Sequence, residues 1–363
     1  MTESAINNSD KKVMVMAGGT GGHVFPALAV ANELRNRGVV VEWFGTRRGI
    51  EADLVPANDI ELHFIDVAGV RGKGIATLLK APFLLLKAVS QARALLRQQR
   101  PNAVLGMGGF ASGPGGLAAR LLGIPVVIHE QNAVAGTTNR WLAKMARRVM
   151  EAFPGSLPKG RHCGNPVRRE ILELVEPGQR LQRNGDTPNL LILGGSLGAQ
   201  AINDVLPKAI ARLPQNEWPN IWHQTGRDKA VVTEEDYREQ GIDAHVVPFI
   251  DDMAEAYGWA DLVVCRAGAL TVSELAAAGV GSILIPFPHA IDDHQTKNGQ
   301  WLVNNDAARQ IQQHQLSPEK LAVELQQLLG ERERLIAMAK NARELAQPEA
   351  VAAVADACEE VCK

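Results

Sequence analysis

Two stretches of this chain repeat one local grammar. In the first, the apolar run Val13–Ala17 enters Gly18-Gly19-Thr20-Gly21-Gly22-His23, and a helical apolar period follows over about Val24–Arg37. In the second, Asn189–Leu193 enters Gly194-Gly195-Ser196-Leu197-Gly198, and Ala199–Leu213 follows. Each is a strand, a glycine loop and a helix, the opening unit of a parallel sheet with helices on both faces. Two such openings in 363 residues predict an α/β protein of two Rossmann-like halves.

The first loop suggests its own chemistry. Glycines let a second molecule approach the backbone, and a helix start aims N–H groups and the positive end of the helix dipole at it. Such a place suits a phosphate or diphosphate. Pro26 reads as a first-turn residue, where its missing N–H costs nothing. His23 sits at the mouth, where an imidazole can exchange a proton near pH 7. The spacing is neither fingerprint of the commoner nucleotide loops. Counting G-x-G-x-x-G from Gly19 puts Val24 in the last glycine position, and no Gly-Lys-Ser/Thr follows. Glu42 lies inside the second strand, Val39–Gly45, rather than past its end where a ribose-binding acid belongs. Both points argue against a nicotinamide cofactor.

Further along, a third strand reads over Glu61–Val67, then a basic loop, Gly69–Gly74. From Ile75 to Arg100, Ile75, Leu78, Leu79, Phe83, Leu86, Val89 and Leu96 recur at helical spacing, with a break or kink expected at Pro82. No acid falls between Asp66 and Glu130, while Arg71, Lys73, Lys80, Lys87, Arg93, Arg97 and Arg100 are interspersed. The stretch reads both as a crossover helix packed on the sheet and as a membrane-surface patch of Ile75, Leu79, Phe83 and Leu86 ringed by cations. A second glycine loop, Met107–Gly116, follows the strand Ala103–Gly106, and Glu130-Gln131-Asn132 closes the strand Pro125–His129. Pro and Gly concentrate over Phe153–Gly160, the expected start of a hinge that runs through Pro166.

The second half holds one ambiguous acid. Glu274 follows Thr271 by three residues, the spelling of a capping box. It equally places a carboxylate at a helix start after the strand Asp261–Cys265, where it could take both hydroxyls of a ribose. His289, Asp292, Asp293 and His294 are conceivable metal ligands, but the chain contains no Asp-x-Asp, and no metal or other cofactor is called for. The last helix, with no strand after it, is expected to cross back onto the first domain.

A net charge of −2 gives no field for nucleic acid. Cys163, Cys265, Cys358 and Cys362 form no CxxC pair and read as free thiols in a reducing compartment. Residues 1–11 are polar and read as a loose tail rather than a signal peptide. No apolar run approaches the ~18–20 residues of a membrane span.

Taken in order, Gly-Gly-Thr-Gly-Gly-His at 18–23, His-Glu-Gln-Asn at 129–132, Gly-Asn-Pro-Val-Arg at 164–168, Gly-Gly-Ser-Leu-Gly-Ala at 194–199, Ala-Gly-Ala-Leu-Thr-Val-Ser-Glu at 267–274 and Asp-Asp-His-Gln-Thr-x-Asn at 292–298 resemble the MurG family of bacterial N-acetylglucosaminyltransferases. The likeness spans about residues 12–361. It implies the GT-B fold, two Rossmann-like domains whose parallel sheets face across a cleft. The implied division is a tail at 1–11, an acceptor- and membrane-facing domain at 12–163, a UDP-GlcNAc domain at 164–346 and a returning helix at 347–363. The implied reaction moves GlcNAc from UDP-GlcNAc, with inversion, to the C4 hydroxyl of the muramoyl sugar of undecaprenyl-diphospho-MurNAc-pentapeptide (lipid I), giving lipid II. The implied partners are UDP-GlcNAc, lipid I, the anionic cytoplasmic face of the inner membrane and other proteins of cell-wall synthesis.

The same resemblance assigns donor contacts. Thr20, Gly21 and Gly22 lie beside the sugar and diphosphate, Asn132 touches the GlcNAc, and Arg168 and Ser196 approach the nucleotide and its phosphates. Ile250 binds uracil through its backbone. Ala269, Leu270 and Thr271 face the diphosphate in a segment that continues through Val272 and Ser273, Glu274 takes the ribose hydroxyls, and Gln295 reaches the sugar. His23 is the expected catalytic base. His294 stands where some members have a second glutamine, and Gly281 where many have proline. The nearest competing reading is a UDP-GlcNAc 2-epimerase of the same fold; a nucleotide-sugar sensor and a nicotinamide oxidoreductase are more distant.

Overall fold

The computed structural model describes residues 11–67, 75–183, 187–195 and 197–362, with the side chains of 75–81, 183 and 291 left aside. The basic loop at 69–74, Ser196 and nearly all of the N-terminal tail therefore lie outside the described residues, as do the side chains of Ile75 and Leu79. The chain divides into two compact units, one of residues up to Pro166 with Gln347 onward, the other Val167–Ala346.

The first unit is built on strands β1 (Lys12–Met16), β2 (Val40–Gly45), β3 (Glu61–Phe64), β4 (Ala103–Gly106), β5 (Val126–Glu130), β6 (Arg148–Glu151) and β7 (Arg161–His162), in the order 3-2-1-4-5-6-7. Every pairing is parallel. Successive strand residues point to opposite faces, and both faces are buried. Val13, Val15, Leu105 and Val127 pack on one side with helix Gly21–Asn36 and the C-terminal helix Ala350–Val361, through Val354, Ala355 and Cys358. Met14, Met16, Val104 and Ile128 pack on the other with Val89, Ala92, Leu96 and Ala118. Arg37 ties the C-terminal helix down at 2.6 Å from Asp356 and 2.8 Å from Glu359. A strand buried on both faces is mostly apolar, which is why Val13–Met16 of β1 and Val126–Ile128 of β5 read as apolar runs.

Within this unit the helix Ile75–Gln99 continues through Pro82, so of the expected break or kink it shows no break. Pro82 is exposed. No helix among the described residues is long and apolar enough to cross a membrane.

The second unit repeats the plan with β8 (Asn189–Leu193), β9 (Asn220–Gln224), β10 (His245–Val247), β11 (Leu262–Cys265), β12 (Gly281–Leu284) and β13 (Ala308–Gln310), all parallel, in the order 10-9-8-11-12-13. Leu190, Ile192, Val264 and Ile283 form its core with Ile202, Leu206 and Ile210 of helix Gln200–Ile210 and with Leu321, Leu325 and Leu328 of helix Pro318–Leu329. The four cysteines are free and buried. In each sheet the order reverses beside the first strand, between β1 and β4 and between β8 and β11. Ligands of such sheets bind at the carboxyl ends of the strands at that reversal.

Candidate functional site

At the carboxyl end of β1 the helix begins at Gly21, three residues before the apolar period becomes visible. Thr20 is extended, and its carbonyl accepts from the N–H groups of His23 and Val24, each at 3.1 Å. His23 is therefore the third residue of the helix, and Pro26 falls in its second turn rather than its first. The Thr20 side chain does not cap the backbone; its hydroxyl lies 3.2 Å from Nδ1 of His23.

The second glycine loop seats the same imidazole. Gly108 and Gly109 follow β4 with φ of +95° and +84°. A Cβ on Gly108 would stand 2.8 Å from Nε2 of His23 and nearer still to Cδ2, and one on Gly109 would stand 2.9 Å from the Gly18 nitrogen. Side chains are excluded at both positions, by backbone conformation and by space. Ser112 locks the pair of loops, its hydroxyl 2.8 Å from the Met16 carbonyl and 2.7 Å from that of Gly108.

At the end of β5, Glu130 is buried and organises the loop carrying Asn132. One carboxylate oxygen accepts from the Asn132 N–H at 2.9 Å and its amide at 3.2 Å, the other from Gly136 N–H at 3.1 Å and Asn139 at 2.9 Å. His129 is fully buried, which pushes its pKa down and keeps it neutral. Its Nε2 lies 2.9 Å from the Gly164 carbonyl, so that nitrogen carries the proton and Nδ1 accepts from Gln131.

In the second unit, Glu274 resolves its ambiguity. Helix Ala269–Ala278 is preceded by Gly268 as its N-cap, which puts Thr271 third and Glu274 sixth in the helix. The capping-box reading falls, because Thr271 lies inside the helix rather than at its cap. The Glu274 carboxylate instead lies 3.1 Å from an Arg168 Nη and accepts from the Tyr257 hydroxyl at 3.2 Å. Burial raises its pKa, with Arg168 and Tyr257 acting in the opposite sense. The same burial drives the Tyr257 phenol well above its ordinary value. Within the helix start, the Val272 side chain belongs to the core, and the Ser273 hydroxyl bonds back to the Ala269 carbonyl at 3.0 Å. The Val272 N–H is also taken, by the Gly268 carbonyl at 2.9 Å.

Arg168 also borders an open cleft of about 460 Å³, with Glu170, Ile171, Asp251, Asp252, Met253 and Ala254. Ile250, next to Asp251 in the chain, is buried. Gln224, which the sequence did not single out, fastens the β8 glycine loop. It accepts from Gly195 N–H at 3.0 Å and donates to the carbonyls of Gly195 at 3.1 Å and Pro248 at 3.0 Å. Gln295 sits in the first turn of helix His294–Val303 and accepts from Phe287 N–H at 2.9 Å. Among the described residues, His289, Asp292, Asp293 and His294 do not bring three ligand atoms together. The one grouping that does, Glu42, Glu61 and His63, already holds Lys12 on Glu42.

The proposed patch splits along its helix. Phe83 and Leu86 are 75% and 67% exposed, with Leu84 and Leu85 also exposed, whereas Val89, Ala92 and Leu96 are in the core. The crossover-helix reading holds for the packed half, and the other half is exposed.

Two parallel α/β units, each with its ligand-binding strand ends at a chain reversal, are the frame of a nucleotide-sugar glycosyltransferase. Residues 13–151 match the family model of the glycosyltransferase family 28 N-terminal domain, and residues 189–357 that of its C-terminal domain. The chain is 55% identical to a protein of Ectopseudomonas mendocina and 56% identical to one of Pseudomonas paraeruginosa, each comparison covering 97% of this chain and 99% of the relative. Both relatives are named UDP-N-acetylglucosamine–N-acetylmuramyl-(pentapeptide) pyrophosphoryl-undecaprenol N-acetylglucosamine transferase. The chain belongs to glycosyltransferase family 28 and, within it, to the MurG family. A crystal structure of Acinetobacter baumannii MurG superposes with a TM-score of 0.85 at 45% identity, over 96% of this chain and 99% of that one. A UDP-GlcNAc 2-epimerase from Neisseria meningitidis reaches 0.66 at 12% identity, over 96% and 100%, which shows the shared fold alone.

Proposed function

We propose that this protein transfers GlcNAc from UDP-GlcNAc to the C4 hydroxyl of the muramoyl sugar of lipid I, making lipid II with inversion at the anomeric carbon. The observation that carries the reading is the Arg168–Glu274–Tyr257 cluster, with Glu274 in the second turn of helix Ala269–Ala278 and Arg168 on the rim of the cleft that Asp251 and Asp252 also line. It supports a subsite for a nucleoside diphosphate sugar in a chain more than half identical to transferases of that name.

In this reading Glu274 takes the ribose hydroxyls, Ile250 the uracil, and Asn132 and Gln295 the sugar. Inversion suits a single in-line displacement through an oxocarbenium-like transition state, in which a base removes the acceptor proton as the glycosidic bond to the diphosphate breaks. His23 is that base. Thr20 holds its Nδ1 and Gly108 backs its ring, which supports a fixed orientation. The leaving diphosphate gains charge, met by Arg168 and by the N–H groups at the start of Ala269–Ala278. Losing one such donor commonly costs ~2.7–4 kcal/mol in the barrier. The acceptor is a lipid, so the exposed Phe83–Leu86 stretch of its helix rests on the anionic cytoplasmic face of the inner membrane, making the protein peripheral there.

Incubation with labelled UDP-GlcNAc, with and without lipid I, tests the assignment. The expected result is labelled lipid II and UDP only when lipid I is present. Conversion of UDP-GlcNAc in its absence would transfer the protein to the epimerase reading, and binding with no turnover to the sensor reading.

A further inference from the structure

We infer that Glu51 is a positioning residue for the glycine loop that carries Thr20 and His23, an inference that rests on His23 being the base. Glu51 opens the short helix Glu51–Ala57 and is fully buried. One of its carboxylate oxygens accepts from the Gly19 N–H at 2.9 Å. The other accepts from the Thr46 N–H at 3.0 Å and the Thr46 hydroxyl at 2.9 Å. No cation is paired with it among the described residues. A buried carboxylate held by backbone and hydroxyl donors stays in place only while those donors stay in place.

Three glycines make room for it. A Cβ on Gly18 would stand 2.8 Å from the Glu51 carboxyl carbon, one on Gly45 would stand 2.7 Å from its Cγ, and one on Gly49 would come closer still to the carboxylate. These glycines come from the loop after β1, the end of β2 and the turn before the helix, so the carboxylate is the single object on which three segments close. It fixes the loop one residue before Thr20, whose hydroxyl meets His23. It also consumes the Gly19 N–H and sets a carboxylate behind the loop. The anion-binding reading of Gly18–Gly19 therefore weakens, and the loop's chemistry shifts toward holding a sugar and the base.

Glu51→Gln tests this. Glutamine keeps the volume but offers one acceptor oxygen, so its amide must face either Gly19 or Thr46, donor against donor. Supporting-shell losses of this kind run to ~10–100-fold in activity. The expected result is a fall in kcat of that size with KM for UDP-GlcNAc within about twofold, because the donor groups lie mainly in the second unit, and a shift of the limb of the pH–kcat profile assigned to His23. Glu51→Asp, which keeps both oxygens on a shorter arm, should recover part of the loss. An unchanged kcat, or equal losses in kcat and donor affinity with no change in the pH profile, overturns the inference. His23→Ala is assayed alongside. If it turns over normally, the base assignment fails; if it is inactive while Glu51→Gln is fully active, the inference about Glu51 fails by itself. Should Glu51→Gln not fold, Thr46→Val removes only the hydroxyl donor and is read in the same way, a severalfold loss at unchanged donor KM supporting the role and an unchanged kcat refuting it.

Discussion

Gly108→Ala is the sharpest perturbation of the proposed base, because the methyl group it adds points at the imidazole. The new Cβ would lie 2.8 Å from Nε2, where ordinary contact begins near 3.4 Å. The ring must therefore retreat by at least ~0.6 Å at Nε2, and further at Cδ2; a misplacement of ~1 Å can cost ~10²-fold in rate. The φ of +95° adds a second cost, ~1–2 kcal/mol of stability for a residue with a side chain in left-handed space. We expect kcat to fall by ~10–100-fold with UDP affinity unchanged, since the nucleotide groups belong to the second unit. The measurements are UDP release with a soluble lipid I analogue and UDP binding by calorimetry, with the thermal midpoint as a control for folding. His23→Ala sets the floor, with an expected loss of ~10²–10⁴ for a general base. In the double variant Gly108→Ala should add almost nothing, because both changes act on one group. A Gly108→Ala protein within threefold of the parent, or two losses that multiply, would refute the seating of His23 by the second loop.

Glu274→Gln should raise the Kd for UDP by ~10-fold or more while leaving kcat at saturating donor nearly unchanged, since hydrogen bonds to charged groups contribute ~1.5–3 kcal/mol; unchanged affinity would leave Glu274 a purely structural partner of Arg168. Phe83→Glu/Leu86→Glu should fold normally, both side chains being exposed, and lose flotation with phosphatidylglycerol vesicles by tenfold or more, given ~1.5–3 kcal/mol for each large apolar side chain buried; equal flotation would remove this stretch of helix from the membrane contact. His223 is buried neutral between Tyr237 and Asn203, its pKa pushed down to about 3 by desolvation, so the unfolded chain takes up its proton first as pH falls. Its contribution is complete above the unfolded value near 6.5 and is lost below it, by ~1.4 kcal/mol per pH unit, until the folded value is reached. Urea midpoints between pH 7 and 5 should show that slope in the parent and a shallower one in His223→Gln; parallel slopes would assign the acid lability elsewhere.

What the sequence made legible follows from side-chain periodicity. Parallel strands buried on both faces carry runs of apolar residues, so β1, β5, β8 and β11 announce themselves, and the glycine loops after β1 and β8 reveal the doubled plan. Periodicity fails where side chains are missing. The first turn of helix Gly21–Asn36 contains two glycines, so its start is invisible until Val24. Thr271 and Glu274 spell a capping box, but Gly268 already supplies the extended residue that a helix start requires, and the spelling falls one turn inside the helix. The pairing of Glu274 with Arg168 joins residues 106 positions apart, a relation that no local pattern carries.

The glycines at 18–22 are expected to make space for a ligand, and the structure gives them different uses. Gly21 and Gly22 stand in the first turn of a helix, where N–H groups face outward. Gly18, Gly45 and Gly49 make room for Glu51, and Gly160 makes room for Glu151. Glu151 in turn accepts from the Gly155 and Leu157 N–H groups at 2.8 and 2.9 Å and from the Ser156 hydroxyl at 3.0 Å. Glu130 does the same for the turn at Asn132 and Gly136. Loops at the carboxyl ends of parallel strands carry backbone donors with no neighbouring strand to receive them, and an unsatisfied buried N–H costs ~1–3 kcal/mol. A buried glutamate answers several such donors at once, and where its side chain passes close to a Cα, as at Gly18, Gly45, Gly49 and Gly160, it leaves no room for a Cβ. A glycine-rich strand end is thus as much the mark of an internal carboxylate as of an external phosphate, and an acid within a few residues of a neighbouring strand end distinguishes the two.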